Sequence, residues 1–404
     1  MNIPTKVSKR MSLAEKTDEQ RLIRMPEELR KLFQVELNQF VNLKSKDGKI
    51  VTLRIMPAYI EDAEVDPLLA CVDKKIFEIL ELDDVIQEQE IELVDDITLG
   101  CDPEFFLIDQ TSRLIYASSF FRRWGDVGHD GPMVEIRPLP STREEIVTDN
   151  IYALLKKARY IMDNHPPVLS FNQHIIGKNV KMLAASAYKN ESAGFHLHYG
   201  LPKPLLGPHK YNRKLLAGQI VKALDFYVGI PSIILEGEAD SFRRSFVQVG
   251  YGKPGGFRLD NKTLEYRVPG GYLLRHPILT RGLLGLGATV IEDVVSRIKI
   301  ITDNFTHLDE MVAWDDIRIV YPNIPPTADI YKSIVATTTT FAERNLGIII
   351  KDVRDMIGYE RRRESIEAFF DCISTKKEYC NLIDENWRTY YNEKRQGSLA
   401  VFSA

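Results

Sequence analysis

The chain has 404 residues, 44% of them hydrophobic and 27% charged, with a formal net charge of −4. That composition is ordinary for roughly two to three globular domains. The charge excludes a general nucleic-acid binder, and no apolar run reaches the ~18 residues of a membrane span. Small-molecule or peptide partners are expected, with no nucleic acid and no membrane. Cys71, Cys101, Cys372 and Cys380 form neither a CxxC pair nor a dense framework, so they read as reduced thiols. With no apolar leader core at the N-terminus, a cytoplasmic protein is expected.

In chain order, residues 1–22 lack periodicity and read as a flexible arm. Residues 23–93 read as a small barrel-like β/α domain. Pro26, Glu27 and Glu28 open a short helix, and Phe40–Lys44 and Ile50–Ile55 flank a Lys46-Asp47-Gly48 turn. A helical piece follows around Asp73–Leu80, then the acidic run Glu81, Asp83 and Asp84, which reads as a solvated face. This unit loosely resembles double-psi barrels, and docking or oligomerisation is the plain reading of it.

From Ile97 the character changes. The stretch ITLGCDPEFFLID reads as a strand with Asp102 and Glu104 on one face. A surface strand would tolerate two such acids by chance, but on a buried strand they make sense around a cation. After Ser118–Gly125, Met133–Arg137 runs as a strand with Glu135 and Arg137 sharing a face. A helix is expected over Thr142–Ile161, capped by Ser141 or Thr142. In AGFHLHYG, His196 and His198 lie on one face and suit a shared metal, a substrate contact or plain core packing. Helix Arg213–Val228 comes next. The cluster Glu236, Glu238, Asp240, Arg243 and Arg244 suits either a solvated loop or a polyphosphate contact.

Tyr251–Gly271 reads as one Gly-rich hairpin. Gly252, Gly255 and Gly256 let the backbone approach a ligand, Lys253 and Arg258 add positive charge, and Glu265 and Arg267 share a strand face. The bland alternative is an ordinary hairpin with a solvent-facing ion pair. Beyond it, Leu274–Ile300, Asp329–Leu346, Glu360–Ser374 and Lys376–Lys394 read as helices of a scaffold.

Four separate segments thus carry polar groups at period two: Asp102/Glu104, Glu135/Arg137, His196/His198 and Glu265/Arg267. One sheet face lined with acids, imidazoles and arginines suits Mg²⁺ or Mn²⁺ with a nucleotide triphosphate. The ordered motifs DPE, DGxxxEIRP, GFHLHYG and GFRxxxxxLEYRVPGG resemble the phage carboxylate–amine ligases (COOH-NH2 ligases, type 2), relatives of glutamine synthetase and glutamate–cysteine ligase.

The resemblance spans about Leu99 to Gly271. It implies an α+β fold in which residues 94–404 form a glutamine-synthetase-like catalytic domain. A curved antiparallel sheet, 97–272, would carry ATP and Mg²⁺ or Mn²⁺ on its concave face, with helices on the convex side and a helical part, 273–404. Asp102, Glu104, Glu135, His196 and Glu265 match metal-ligand positions, with His198 beside the nucleotide. Glu265, Arg258 and Arg267 match catalytic positions. Arg243, Arg244, Lys253 and Gly255 are added from charge and spacing as nucleotide contacts. Relatives often read ExE where this chain has Asp102, one methylene shorter, which favours Glu104 as the ligand. The implied reaction makes an amide or isopeptide bond through an acyl phosphate, in the host cytoplasm if the chain is phage-encoded. A carboxylate or guanidino kinase and a non-catalytic phage structural or interaction protein stay open as alternatives, as does a homo-oligomer.

Overall fold

Short β-branched runs with alternating burial build the first part of the chain. A computed structural model describes residues 2–10, 22–33, 35, 37, 40–45, 50–59, 66–80, 87–94, 97–164, 179–201, 210–245, 251–259, 263–303, 317–336 and 339–401. The expected turn at 46–48 and the acidic run at 81–84 lie outside those residues. Strands β1 (Asn2–Arg10), β2 (Leu22–Met25), β3 (Phe40–Lys44), β4 (Ile50–Pro57), β5 (Leu69–Asp73) and β6 (Gln87–Val94) close a barrel in the order β1-β5-β2-β4-β3-β6. The pairs β1/β5 and β2/β4 are parallel. Ile23, Met25, Val41, Leu43, Leu53 and Ile55 fill the barrel together with Ile76 and Phe77 of the helix Lys74–Leu80.

Residues 11–21 lie outside the described residues, but the expectation of a flexible arm over residues 1–22 is corrected for residues 2–10, because Asn2–Arg10 is a barrel strand hydrogen-bonded on both edges. Its apolar residues are too few to give a periodic signal. Backbone pairing on two sides, which the sequence does not display, gives the segment its place.

The remainder is organised by one long strand, β7 (Thr98–Ile108). Short strands β8 (Leu114–Ile115), β9 (Val127–Asp130), β10 (Met133–Ile136) and β11 (Lys181–Leu183) precede a two-stranded ribbon of β12 (Ala187–Tyr188) and β13 (Glu191–Ser192). Then come β14 (Phe195–Gly200), β15 (Phe257–Leu259) and β16 (Thr263–Tyr266). Eight of these form one sheet in the order β15-β16-β14-β7-β10-β9, with β8 and β11 also on β7, and every pairing is antiparallel.

Period-two alternation gives the sheet two unlike faces. Leu99, Cys101, Phe105, Leu197, Tyr199, Leu264 and Tyr266 enter the main core, with Val147 and Ile151 of the helix Glu144–Asn164 and Leu283 and Leu284 of the helix Pro277–Asp303. Those helices therefore pack on the apolar face and leave the polar face on the other side.

Three helical expectations shift. Asp329–Leu346, read as one helix, is two, Thr327–Ala336 and Thr339–Arg354. Pro231–Ser245, where a loop was one reading, ends in the helix Glu238–Ser245. The last helix starts at Ile383 instead of Lys376. Among the described residues no helix is long and apolar enough to cross a membrane.

Candidate active site

Strand register assembles the polar face. His196 stands opposite Asp102, His198 opposite Glu265, Arg258 opposite Glu265, and Glu135 opposite Glu104. Residues directly opposite in a ladder project to the same side, so the four dyads read from the sequence do share one face.

One ligand atom each from Asp102, His198 and Glu265 falls within 4.8 Å of the others. His198 Nε2 is 3.1 Å from Asp102 Oδ2, and His196 Nδ1 is 3.1 Å from Asp102 Oδ1 and 3.7 Å from Glu265 Oε1. Asp102 Oδ1 is buried without a hydrogen bond of good geometry. Burial alone would raise the Asp102 carboxyl, but the charges of His198 and His196 outweigh that and hold it well below the usual carboxylate range. Two carboxylates, an imidazole and an orphaned buried oxygen fit a hard divalent cation such as Mg²⁺ or Mn²⁺.

Asp102 and Glu265 of this grouping come from the expected ligand set, and His198, expected beside the nucleotide, stands with them because β14 sets it opposite Glu265. His196, Glu104 and Glu135, expected as ligands too, lie next to the three, outside that tightest group. Glu104 Oε2 instead accepts the Gly194 N–H at 2.6 Å. A Cβ at Gly194 would come within 2.3 Å of His196 Nε2 and 2.8 Å of Arg243 Nη2, so a larger residue there would push both side chains aside.

Glu104 and Glu135 form a second carboxylate pair. Burial pushes Glu104 up to about 8, opposed by the Gly194 N–H and reinforced by the Asp102 charge. Burial, and then the Asp102 charge, raise Glu135 to about 7 despite its ion pair with Arg137. Two acids whose protons are this hard to remove stand where extra positive charge would be stabilising.

The arginines divide. Arg267 Nε donates to Glu265 Oε1 at 2.5 Å, and Arg258 lies 3.4 Å from Glu265 Oε2 with its side chain largely exposed. Arg243 and Arg244 are fully buried, which corrects their expected role at the nucleotide. Arg243 donates to the carbonyls of Val268 and Arg267 at 2.8 Å each. Arg244 pairs with Glu236 and donates to the carbonyls of Val268 and Gly252. Gly255, expected to offer its backbone to a nucleotide, gives its N–H to Asp225 Oδ2 at 2.7 Å, a second correction. Lys253 stays half-buried at the turn, where its carbonyl accepts the Gly256 N–H.

Tyr251 was not singled out from the sequence. Its ring lies 4.9 Å from the Arg267 guanidinium carbon and 5.5 Å from the His196 ring. Gly252, at φ +75°, lets it sit there, because a Cβ would overlap Arg243 at 1.9 Å. Only its position in the Gly-rich stretch hinted at this.

The chain belongs to the phage phiEco32-like COOH.NH2 ligase-type 2 family, whose sequence profile matches residues 99–314. It is therefore an enzyme of the class that joins a carboxylate to an amine. No curated protein matches it. Among solved structures, apo GmaS is 11% identical over 76% of this chain and 93% of its own, with a TM-score of 0.34. A bifunctional glutathione synthetase from Pasteurella multocida is 11% identical over 69% of this chain and 55% of its own, with a TM-score of 0.32. The rationally designed protein apDPBB_sym_79 is 22% identical over 24% of this chain and all of its own, with a TM-score of 0.20.

Proposed function

We propose that the chain is an ATP-dependent carboxylate–amine ligase working through an acyl phosphate on a glutamine-synthetase-like sheet face. The supporting observation is the convergence of Asp102, His198 and Glu265 beside two arginines held on Glu265. Asp102, His198 and Glu265 would hold one Mg²⁺ or Mn²⁺, with Glu104 and Glu135 next to them. Such a cation, when bound, offsets charge on nucleotide phosphates.

A substrate carboxylate oxygen forms a bond to the γ-phosphorus of ATP, and the bond from that phosphorus to the bridging oxygen breaks to release ADP. The amine nitrogen then bonds to the carbonyl carbon and gives up a proton to solvent, and phosphate leaves with the former carboxylate oxygen. Arg267, oriented by Glu265 Oε1 and by the Tyr251 ring, and the outward-facing Arg258 would meet the migrating phosphoryl charge. The polypeptide would divide near residues 94–97 into the barrel and this catalytic part, in a cytoplasmic protein.

The test is phosphate release from ATP with Mg²⁺ or Mn²⁺, screened against amino acids, polyamines and short peptides, with Glu265→Gln as control. Release that needs both a carboxylate and an amine, and vanishes in the variant, supports the ligase. Release that needs a carboxylate alone and leaves a stable phosphorylated product points to a kinase. The reading fails if no pool elicits turnover and calorimetry finds no metal-dependent nucleotide binding.

A further inference from the structure

The edge of the polar face at β9 carries a loop whose placement the ladder reveals. Gly128 stands opposite Glu135, so a side chain at Gly128 would project onto the polar face. A Cβ built there would meet Arg137 Nη1 at 2.7 Å, the Arg123 carbonyl at 2.8 Å and the Arg122 carbonyl at 3.2 Å. The main chain of residues 122–123 therefore crosses the polar face at its β9 rim. Arg137 fastens it: one end of its guanidinium pairs with Glu135, while Nη1 donates to the Gly125 carbonyl at 2.9 Å. Asp126, the next residue along, is held from two sides, by Lys75 of the barrel's helix and by Lys157 of the helix Glu144–Asn164.

The loop turns its recognition groups outward. Trp124 is 75% exposed, and Tyr116 in the same connection is 55% exposed. The Arg123 guanidinium carbon stands 5.3 Å from the Trp124 ring. Arg122, Arg123, Arg137, Lys75 and Lys157 outnumber Glu104, Asp126, Asp130 and Glu135 around it, and with Arg137 on Glu135 and both lysines on Asp126, the exposed Arg122 and Arg123 leave the rim cationic. Exposed Trp, Tyr and Arg are the residues that most often anchor protein surfaces to one another. A cationic rim repels an ammonium and attracts carboxylates, which assigns it to the acyl donor and not to the amine.

From this, and resting on the ligase reading above, we propose that residues 122–125 with Tyr116 form a dock for an acidic peptide whose reacting carboxylate lies at the Asp102–His198–Glu265 cluster. Two strand spacings separate β9 from β7, about 10 Å, and Asp102 lies two residues along β7 from Glu104, about 7 Å. The dock is thus roughly 12 Å from the cluster, the span of about three to four extended residues. The recognised acids sit that far upstream of the reacting carboxylate.

The experiment is fluorescence polarisation on the full chain. The probe is a labelled hexapeptide ending in glutamate, with aspartates three and four residues upstream, set against the same peptide with alanines there. Expected are at least tenfold tighter binding of the acidic peptide, loss of that preference as salt rises, and at least tenfold weaker binding in Arg123→Gln and Trp124→Ala. Tyr331→Ala, an exposed position on the helix Thr327–Ala336, is the control with unchanged binding. Alongside, turnover is read as hydroxamate formed from each peptide with ATP and hydroxylamine, a small amine that captures activated acyl groups. Equal binding of the two peptides, or variants that bind like the parent, overturns the dock. So does turnover on a free amino acid without any peptide binding, which leaves the ligase standing. Salt-sensitive peptide binding without hydroxamate from any carboxylate leaves a peptide-binding loop but removes the ligase reading and, with it, the reacting carboxylate at the cluster.

Discussion

Two pairs of arginines lie within 25 residues of one another in sequence, and the fold uses them in opposite ways. Arg243 and Arg244 sit on the short helix Glu238–Ser245, fully buried, with their N–H groups directed to main-chain carbonyls and Glu236. Arg258 and Arg267 flank strand β16, hold Glu265 and keep solvent contact. Burial, and then the Arg244 charge, lower the Arg243 guanidinium to about 10, a cost met only because carbonyl acceptors surround it. The first pair is a clamp that closes the Gly-rich hairpin on the sheet, and the second faces the chemistry. Adjacency of arginines to a glycine turn does not by itself make a phosphate site; the strand register and the carbonyls within reach do.

The largest effect should come from breaking the clamp. Arg244→Met leaves the Glu236 carboxylate buried without its cation and is expected to cost about 3–5 kcal/mol in urea unfolding. If the variant keeps parent stability but loses nucleotide binding, the two pairs have been assigned the wrong way round. Arg267→Gln is expected to lower kcat roughly 10²–10³-fold with a smaller stability loss than Arg244→Met, because a glutamine can still donate to Glu265 and Arg258 remains beside that carboxylate. Steady-state kinetics beside thermal melts check it. Arg258, more exposed, contributes less: Arg258→Ala should raise the KM for nucleotide roughly tenfold, about 1.4 kcal/mol, with kcat little altered.

The comparison sharpens at a third clamp, where carboxylate and cation are both partly solvated. Burial would raise Asp126, but its hydrogen bonds to Lys157 and Lys75 outweigh that and lower its carboxyl to about 2. A depressed folded value means stability that is present above the unfolded value near 3.8 and is lost as pH falls toward about 2. Discounted for screening, that amounts to about 1 kcal/mol. Asp126→Asn should be less stable than the parent at pH 7 by about that much, with the difference closing below pH 3; a constant difference across pH would refute it.

Much of the site was legible because a strand displays its faces at period two. Asp102/Glu104, Glu135/Arg137, His196/His198 and Glu265/Arg267 could each be placed on a face without knowing which strands were neighbours. Their neighbours were not legible, and that is where the expectations moved. His198, and not His196, stands with Asp102 and Glu265 in the tightest cluster, because register decides which alternate residues meet across a ladder. Strand β1 was missed because backbone pairing, not a hydrophobic pattern, holds it. Gly255 was misjudged because the buried Asp225 that takes its N–H lies 30 residues earlier.

The sequence by itself determined which residues share a face, the long helices and the kind of chemistry the polar groups suit, since these follow from local periodicity and side-chain type. The tertiary structure alone decided which acids converge, which arginines are consumed as clamps and where the Arg122–Gly125 loop crosses the face. Those depend on distances between segments far apart in the chain, and a dielectric and a set of partners exist only once the segments have packed together.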